Sequence, residues 1–178
     1  QAVEALDARW LAKEPLEQAQ IDASMDVEKH RETDNFAHNL KSVGDAEIGR
    51  QNAIHRTENF YDTPFAAHAA IEPRSGLAWV RADKAEVWGG TQDPYLLQRR
   101  VAKITGKQIK DVVVHTHRIG GGFGGRVPCQ ASEAAARLSA VFKRPVRVQW
   151  NRETEFQNNY FQPKLSHYID AGVTKEGK

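Results

Sequence analysis

Gly120-Gly121-Gly122-Phe123-Gly124-Gly125-Arg126 puts five glycines into six positions ahead of an arginine. Glycine loses more backbone entropy on folding than any other residue, so packing does not account for this density. Positive φ angles, and backbone N–H groups lying close to a ligand, do. Amides gathered this way form a concave site for phosphate, pyrophosphate or another anion. Phe123 would hold an apolar ring at the lip and wall the pocket from water. The string also fits Gly-x-Gly-x-x-Gly at Gly120, Gly122 and Gly125, the fingerprint of a dinucleotide site. Three features oppose that site. The next helix begins only after Pro128, Phe123 sits inside the turn, and the strand Pro145–Trp150 runs into Asn151-Arg152 instead of ending on an acid. A loop holding no ligand is the plainest alternative.

Other chemically capable side chains read more simply. His68 and Glu72 stand at i, i+4 before Pro73, but two ligands do not make a zinc site, and a structural role is expected. His115 and His117 share one face of a strand, with no further ligands nearby. Cys129 reads as a small filler at a helix start, since a reactive thiol needs an electropositive setting. Arg99, Arg100, Lys103 and Lys107 form a basic helix end that complements the helix dipole. Trp79 and Trp88 read as core or interface aromatics.

These residues need elements to position them. Leu77–Arg81 and Ala85–Trp88 are apolar runs around Ala82-Asp83-Lys84, a hairpin. Asp93-Pro94 predicts a helix start, Leu97, Val101 and Ile104 its apolar face, and Gly106 its stop. Val112–Val114 predicts a buried strand. A helix is expected over Ser132–Phe142 with Ala134, Leu138, Val141 and Phe142 on its buried face. Val146, Val148 and Trp150 alternate with Arg147 and Gln149, a strand; Lys164–Val173 predicts another, and Asn52–Tyr61 a weaker one. Before these, Ala2–Ala12 predicts a short helix, and Asp22–Ser42 an exposed helix or arm ended by Gly44-Asp45. Strands and helices mix without strict alternation. The fold class predicted is therefore α+β, a mixed or antiparallel sheet with helices packed on it.

Composition sets the outer bounds. The chain has 178 residues, 40% hydrophobic and 27% charged, which excludes a collagen-like or wholly disordered polymer. A mean hydropathy of −0.63, with no apolar run near about 18 residues, gives no membrane-spanning helix. Twenty-five basic against 23 acidic residues leave +2, which does not point to nucleic acid. One cysteine excludes an internal disulfide framework. A chain running from Gln1 to Lys178 reads as part of something larger, a connector over 1–45 followed by a domain over 46–178.

Several motifs, in order, carry a family resemblance: Tyr61-x-x-Pro64-x-x-x-His68-x-x-x-Glu72-Pro73, Trp88-x-x-Thr91-Gln92-x-Pro94, the glycine loop, Glu133-Ala134-Ala135, and Pro145-Val146-x-Val148-x-Trp150-x-Arg152-Glu153. Over roughly Gly44 to Lys178 the chain resembles the molybdopterin-binding large subunit of the xanthine dehydrogenase/aldehyde oxidase family, most of all the bacterial isoquinoline 1-oxidoreductase β-subunit type. Ala5-Leu6-x-x-x-Trp10 is similar to the tail of the preceding hammerhead domain. The resemblance implies a molybdenum hydroxylase that oxidises an aldehyde or N-heterocycle with water as oxygen source. It implies a molybdopterin cofactor, in the cytosine dinucleotide form, and [2Fe-2S] clusters on a small partner subunit. The remainder of the large subunit would be a further partner, and both cytoplasm and periplasm stay open.

For individual residues the resemblance implies a cofactor site of Gln92, Gly121, Gly122, Phe123, Gly124, Gly125 and Arg126. The amides of Phe123 and Gly124 would lie nearest the cofactor, and the Gln92 amide would hydrogen-bond a molybdenum oxo ligand. Phe123 and Val127 would face the substrate. Purine-oxidising members carry Glu where Val127 stands, so a purine is disfavoured. The family's catalytic Glu belongs to a later motif that Glu72, Glu133, Glu153 and Glu155 do not match, so no catalytic residue is expected within the chain and inactivity alone is predicted. The rival reading is a stand-alone nucleotide- or anion-binding module built on the same loop.

Overall fold

The computed structural model describes Leu11, residues 14–30, Lys41 and residues 43–177. In chain order these form α1 (Gln18–Ser24), α2 (Val27–His30), α3 (Ala46–Asn52), β1 (His55–Thr63), β2 (Ala66–Ala67), β3 (Ser75–Val80), β4 (Ala85–Gly89), α4 (Pro94–Thr105), a 3-10 turn at Ile109–Asp111, β5 (Val112–Thr116), α5 (Gln130–Phe142), β6 (Val146–Gln149), α6 (Arg152–Asn158), β7 (Phe161–Gln162) and β8 (Leu165–Val173). The class is α+β, as the mixed pattern predicts. The Ala5-Leu6-x-x-x-Trp10 motif, the helix expected around it and residues 31–40 of the expected arm fall outside the described residues. Among the described residues no helix is long and apolar enough to cross a membrane.

Contacts divide the described residues into two units, at Pro64 and Lys164, whereas the sequence reading expects a boundary between residues 45 and 46. One unit pairs β1 with β8 as an antiparallel ribbon, from His55↔Val173 to Thr63↔Leu165. Asp45 caps α3 by accepting from the N–H groups of Glu47 and Ile48. Asp170 accepts from Arg50 Nε at 2.6 Å and Arg56 Nε at 2.9 Å, and these hydrogen bonds, Arg56 first, hold its carboxyl below the usual range.

The other unit, residues 65–163, is a four-stranded mixed sheet in the order β5-β4-β3-β6 with two helices on one face. The β3–β4 hairpin closes through Arg81 N–H donating to Lys84 O. Asp93 caps α4 by accepting from Leu96 N–H at 2.8 Å, and Gly106 ends it with φ 67°. Leu97 and Val101 then reach the core beside Ala78, Val87 and Val112. All of this follows the sequence pattern.

Helix α5 does not. Its buried residues are Ala131, Ser132, Ala135, Ala136 and Ser139, whereas Leu138, Val141 and Phe142 are exposed. The sheet explains the reversal. Gly76 and Gly89 face each other across β3 and β4, and a Cβ on Gly76 would stand 2.4 Å from Ser132 Cα. The helix lies so close that only small side chains fit beneath it, and steric approach overrides the apolar moment. Ser139, fully buried, accepts from Val80 N–H at 2.9 Å and donates to Arg144 O at 2.7 Å. Ser139→Ala leaves the Val80 amide unsatisfied, so urea unfolding should show a loss of about 1–3 kcal/mol with an unchanged m value.

Candidate functional site

β4 and β5 are parallel neighbours, and their carboxyl ends deliver the two segments the sequence singles out. Thr91 and Gln92 follow β4; the glycine loop follows β5. Ligands in sheets with parallel strands commonly bind outside the carboxyl ends, where backbone leaves the sheet with free polar groups.

Gln92 ties these segments together. Its backbone N–H donates to Arg126 O at 3.1 Å. Its side-chain Oε1 accepts from Gly124 N–H at 3.1 Å and Arg126 N–H at 3.0 Å. Two donors on one atom require the carbonyl oxygen there, so the NH2 end of the amide is turned away from them. Within the loop Gly125 N–H donates to Gly122 O at 2.8 Å and Val127 N–H to Gly124 O at 3.3 Å. Gly120 N–H donates to Glu72 Oε2 at 2.7 Å. Among the described residues the amides of Gly121, Gly122 and Phe123 have no hydrogen-bond partner. The unpartnered amides are therefore 121–123, Gly122 being buried and Phe123 exposed, where the resemblance implies Phe123 and Gly124; Gly124 is already engaged by Gln92. Gly121 and Gly124 lie at φ 104° and 94°, and Phe123 at φ 54°, a costly conformation for a bulky residue. Successive amides turned by such alternation form an anion nest.

Packing matters at the other glycines, contrary to expectation. A Cβ on Gly120 would lie 2.6 Å from Glu72 Cβ, on Gly122 2.7 Å from Gln92 Cδ, and on Gly125 3.0 Å from His68 Cγ. The loop is glycine-rich because side chains crowd it from below, as well as because its amides are offered above. His68 and Glu72 are structural, as expected, but their structural task is the loop itself. His68 Nδ1 lies 2.9 Å from Tyr160 O, so that nitrogen carries the hydrogen.

Arg126 is 2% exposed. Its guanidinium turns inward, Nη1 pairing with Glu72 Oε2 at 3.3 Å and Nη2 donating to Glu72 O. Its backbone is held by Gln92, so the side chain supports the loop from behind. Arg74, which sequence reasoning missed, does the same further along. It is buried, donates to Gly125 O and Asn159 Oδ1, and pairs through Nε with Glu155 at 3.3 Å. Burial pushes its guanidinium pKa down, against the opposing pull of Glu155. Its place directly after Glu72-Pro73 was the available signal. Phe123 is 71% exposed and Val127 is exposed as well, so both offer apolar surface at the loop.

None of the remaining candidates hydrogen-bonds the 121–123 amides. His115 stacks on Trp88 with ring centres 4.7 Å apart and lies 3.5 Å from Glu86, while His117 Nδ1 meets Arg118 O at 2.8 Å. Arg81 covers Trp79 at 4.0 Å. Arg100 pairs with Glu133 at 2.9 Å. Cys129 is buried at the start of α5, its thiol donating to Arg126 O at 3.4 Å. Burial pushes that thiol's pKa up, which suits a filler and not a nucleophile. Alkylation by iodoacetamide at pH 8 should be at least about tenfold slower in the folded chain than in urea, because the thiolate is the reacting form. Equal rates would contradict this.

With the geometry defined, comparison with known proteins places it. Residues 28–178 match the family model described as molybdopterin cofactor-binding domain. The xanthine dehydrogenase of Emericella nidulans is 28% identical over 92% of this chain and 12% of its own length. A nicotinate dehydrogenase subunit of Pseudomonas putida is 32% identical over 75% of this chain and 11% of its own. The isoquinoline 1-oxidoreductase β-subunit of Brevundimonas diminuta is 32% identical over 68% and 16%. The chain thus spans less than a fifth of the length of these relatives. The aldehyde oxidoreductase of Desulfovibrio gigas shares the fold, with a TM-score of 0.68 and 19% identity over 75% of this chain and 15% of that one.

Proposed function

The chain belongs to the molybdopterin cofactor-binding domain family, and from that premise we propose that it forms one wall of the cofactor site in a molybdenum hydroxylase large subunit. The observation that carries the reading is the run of amides at Gly121, Gly122 and Phe123 without a hydrogen-bond partner among the described residues, beside a Gln92 amide whose carbonyl is already engaged. This donor set fits an anionic, oxygen-rich group: it offers N–H groups and no carboxylate. Those three amides and the Gln92 NH2 would hold the cofactor, while Gly124, Gly125 and Arg126 keep the loop in shape. When bound, the cofactor supplies the two-electron redox chemistry. This chain's residues bind it, orient it and line its approach.

The substrate side follows from side-chain chemistry. Phe123 and Val127 present apolar surface without a hydrogen-bonding group, which supports an aldehyde or N-heterocycle over a purine. The carboxylates near the loop are engaged: Glu72 with Arg126, and Glu155 with Arg74. A general base would come from elsewhere in the enzyme, and the chain alone would be inactive. The cytosine dinucleotide form of the cofactor and [2Fe-2S] clusters on a small partner subunit complete the proposal. The nicotinate dehydrogenase and isoquinoline oxidoreductase relatives are each named as one subunit of an enzyme, which supports a multi-subunit parent.

Two substitutions separate holding the loop from holding the cofactor. Gln92→Glu keeps an acceptor for Gly124 and Arg126 but removes the NH2 donor and adds negative charge. Gln92→Ala removes both functions. In the enzyme carrying this chain, Gln92→Glu should keep a near-normal Tm yet fall at least about tenfold in molybdenum per polypeptide, since one lost charge-compatible contact of about 1.4 kcal/mol is a factor of ten. Gln92→Ala should lose molybdenum and also loosen the loop. Full molybdenum in Gln92→Glu would overturn the assignment. Tight binding of NAD or FAD by the chain would favour the nucleotide-binding alternative instead.

A further inference from the structure

We infer that Glu72 is the positioning residue of the glycine loop, holding both of its ends so that the amides between them stay open. The inference rests on the cofactor-wall reading for its purpose and on geometry for its substance. One residue makes four contacts. Its Oε2 accepts from Gly120 N–H at 2.7 Å and pairs with Arg126 Nη1 at 3.3 Å. Its backbone carbonyl accepts from Arg126 Nη2, and its backbone N–H donates to Gly120 O at 3.4 Å. Gly120 opens the loop and Arg126 closes it, so a single side chain and its own peptide groups fix the span.

The fit is close on every side. A Cβ on Gly120 would strike Glu72 Cβ at 2.6 Å, so the loop lies directly on this side chain. Arg152 holds the preceding turn, donating to Ala70 O at 2.8 Å and Ile71 O at 2.7 Å. Ala69 there has φ 46°, and Ala70 Cβ would meet a Cβ on Gly121 at 3.4 Å. The 68–74 segment is thus a braced bed for the loop. Arg126, almost wholly buried, finds its counter-charge in Glu72, and a buried arginine deprived of its partner is strongly unfavourable. Gln92 acts on Gly124 and Arg126, Glu72 on Gly120 and Arg126. Neither hydrogen-bonds the amides of 121–123, and that is the stretch left to a ligand.

Hydrogen exchange and 15N chemical shifts of the full 178-residue chain test this, with inorganic phosphate as the probe anion. Glu72→Ala should raise exchange at the Gly120 amide and the Arg126 guanidinium N–H groups at least about tenfold, leave α4 and α5 protected, and abolish phosphate-induced shifts at Gly121–Phe123. Glu72→Gln retains a carbonyl for Gly120 N–H, so it should restore Gly120 protection and recover part of the phosphate response. Glu153→Gln, whose side chain serves only α6, is the control. If Glu72→Ala loses protection throughout, Glu72→Gln decides: selective loosening at Arg126 supports the inference. Wild-type exchange at both loop ends in both variants overturns it. A wild-type chain whose 121–123 amides ignore phosphate counts against the cofactor reading, while the exchange pattern still decides the role of Glu72.

Discussion

A carbonyl oxygen holds this site together. Gln92 Oε1 takes two loop amides at once, and everything around the loop is consistent with keeping that arrangement. The amide group suits the position because it accepts at one end and donates at the other without carrying charge. A carboxylate in its place would accept equally well and repel an anion. An aliphatic residue would leave the loop amides without partners. The same side chain therefore shapes the cradle and presents a donor beside it.

The support beneath follows a consistent logic. Two arginines, Arg74 and Arg126, are buried behind the loop and grip its carbonyls or its bed, each matched to a glutamate from a distant segment. Buried pairs of this kind add little net stability, but losing either member is severe. They fix one geometry more than they strengthen the fold. The backbone above them accepts an unfavourable φ at Phe123, whose exposed ring folds back against Gly121. Strain of this kind persists where the surroundings over-determine the conformation.

Local features of the fold were legible in the sequence. The β3–β4 hairpin, the Asp93 and Gly106 caps of α4 and the strand at Val146–Gln149 all follow from short-range chemistry. The face of α5 was not, because Leu138, Val141 and Phe142 outweigh the alanines in any apolar moment. What decides that face is two glycines on strands some fifty residues earlier, a steric fact invisible to periodicity. The site shows the same division. The glycine loop and Gln92 stand out by composition and motif. The contacts of Glu72 to Gly120 and of Arg74 to Gly125 span 48 and 51 residues, and no local spacing announces them. The resemblance counts Gly124 among the amides nearest the cofactor, and nothing in the string reveals that its N–H donates to Gln92.

The central claim is a division of labour within one loop: Gly124 and Arg126 amides face Gln92, and Gly121, Gly122 and Phe123 amides face the cofactor. A crystal structure of the cofactor-loaded enzyme carrying this chain tests it most directly. The account predicts at least one of the three amides at about 2.7–3.2 Å from a cofactor oxygen, with Gln92 Oε1 still accepting from Gly124. A cofactor bound through the Gly124 amide, with Gln92 Oε1 released, or a cofactor remote from the loop, would contradict it.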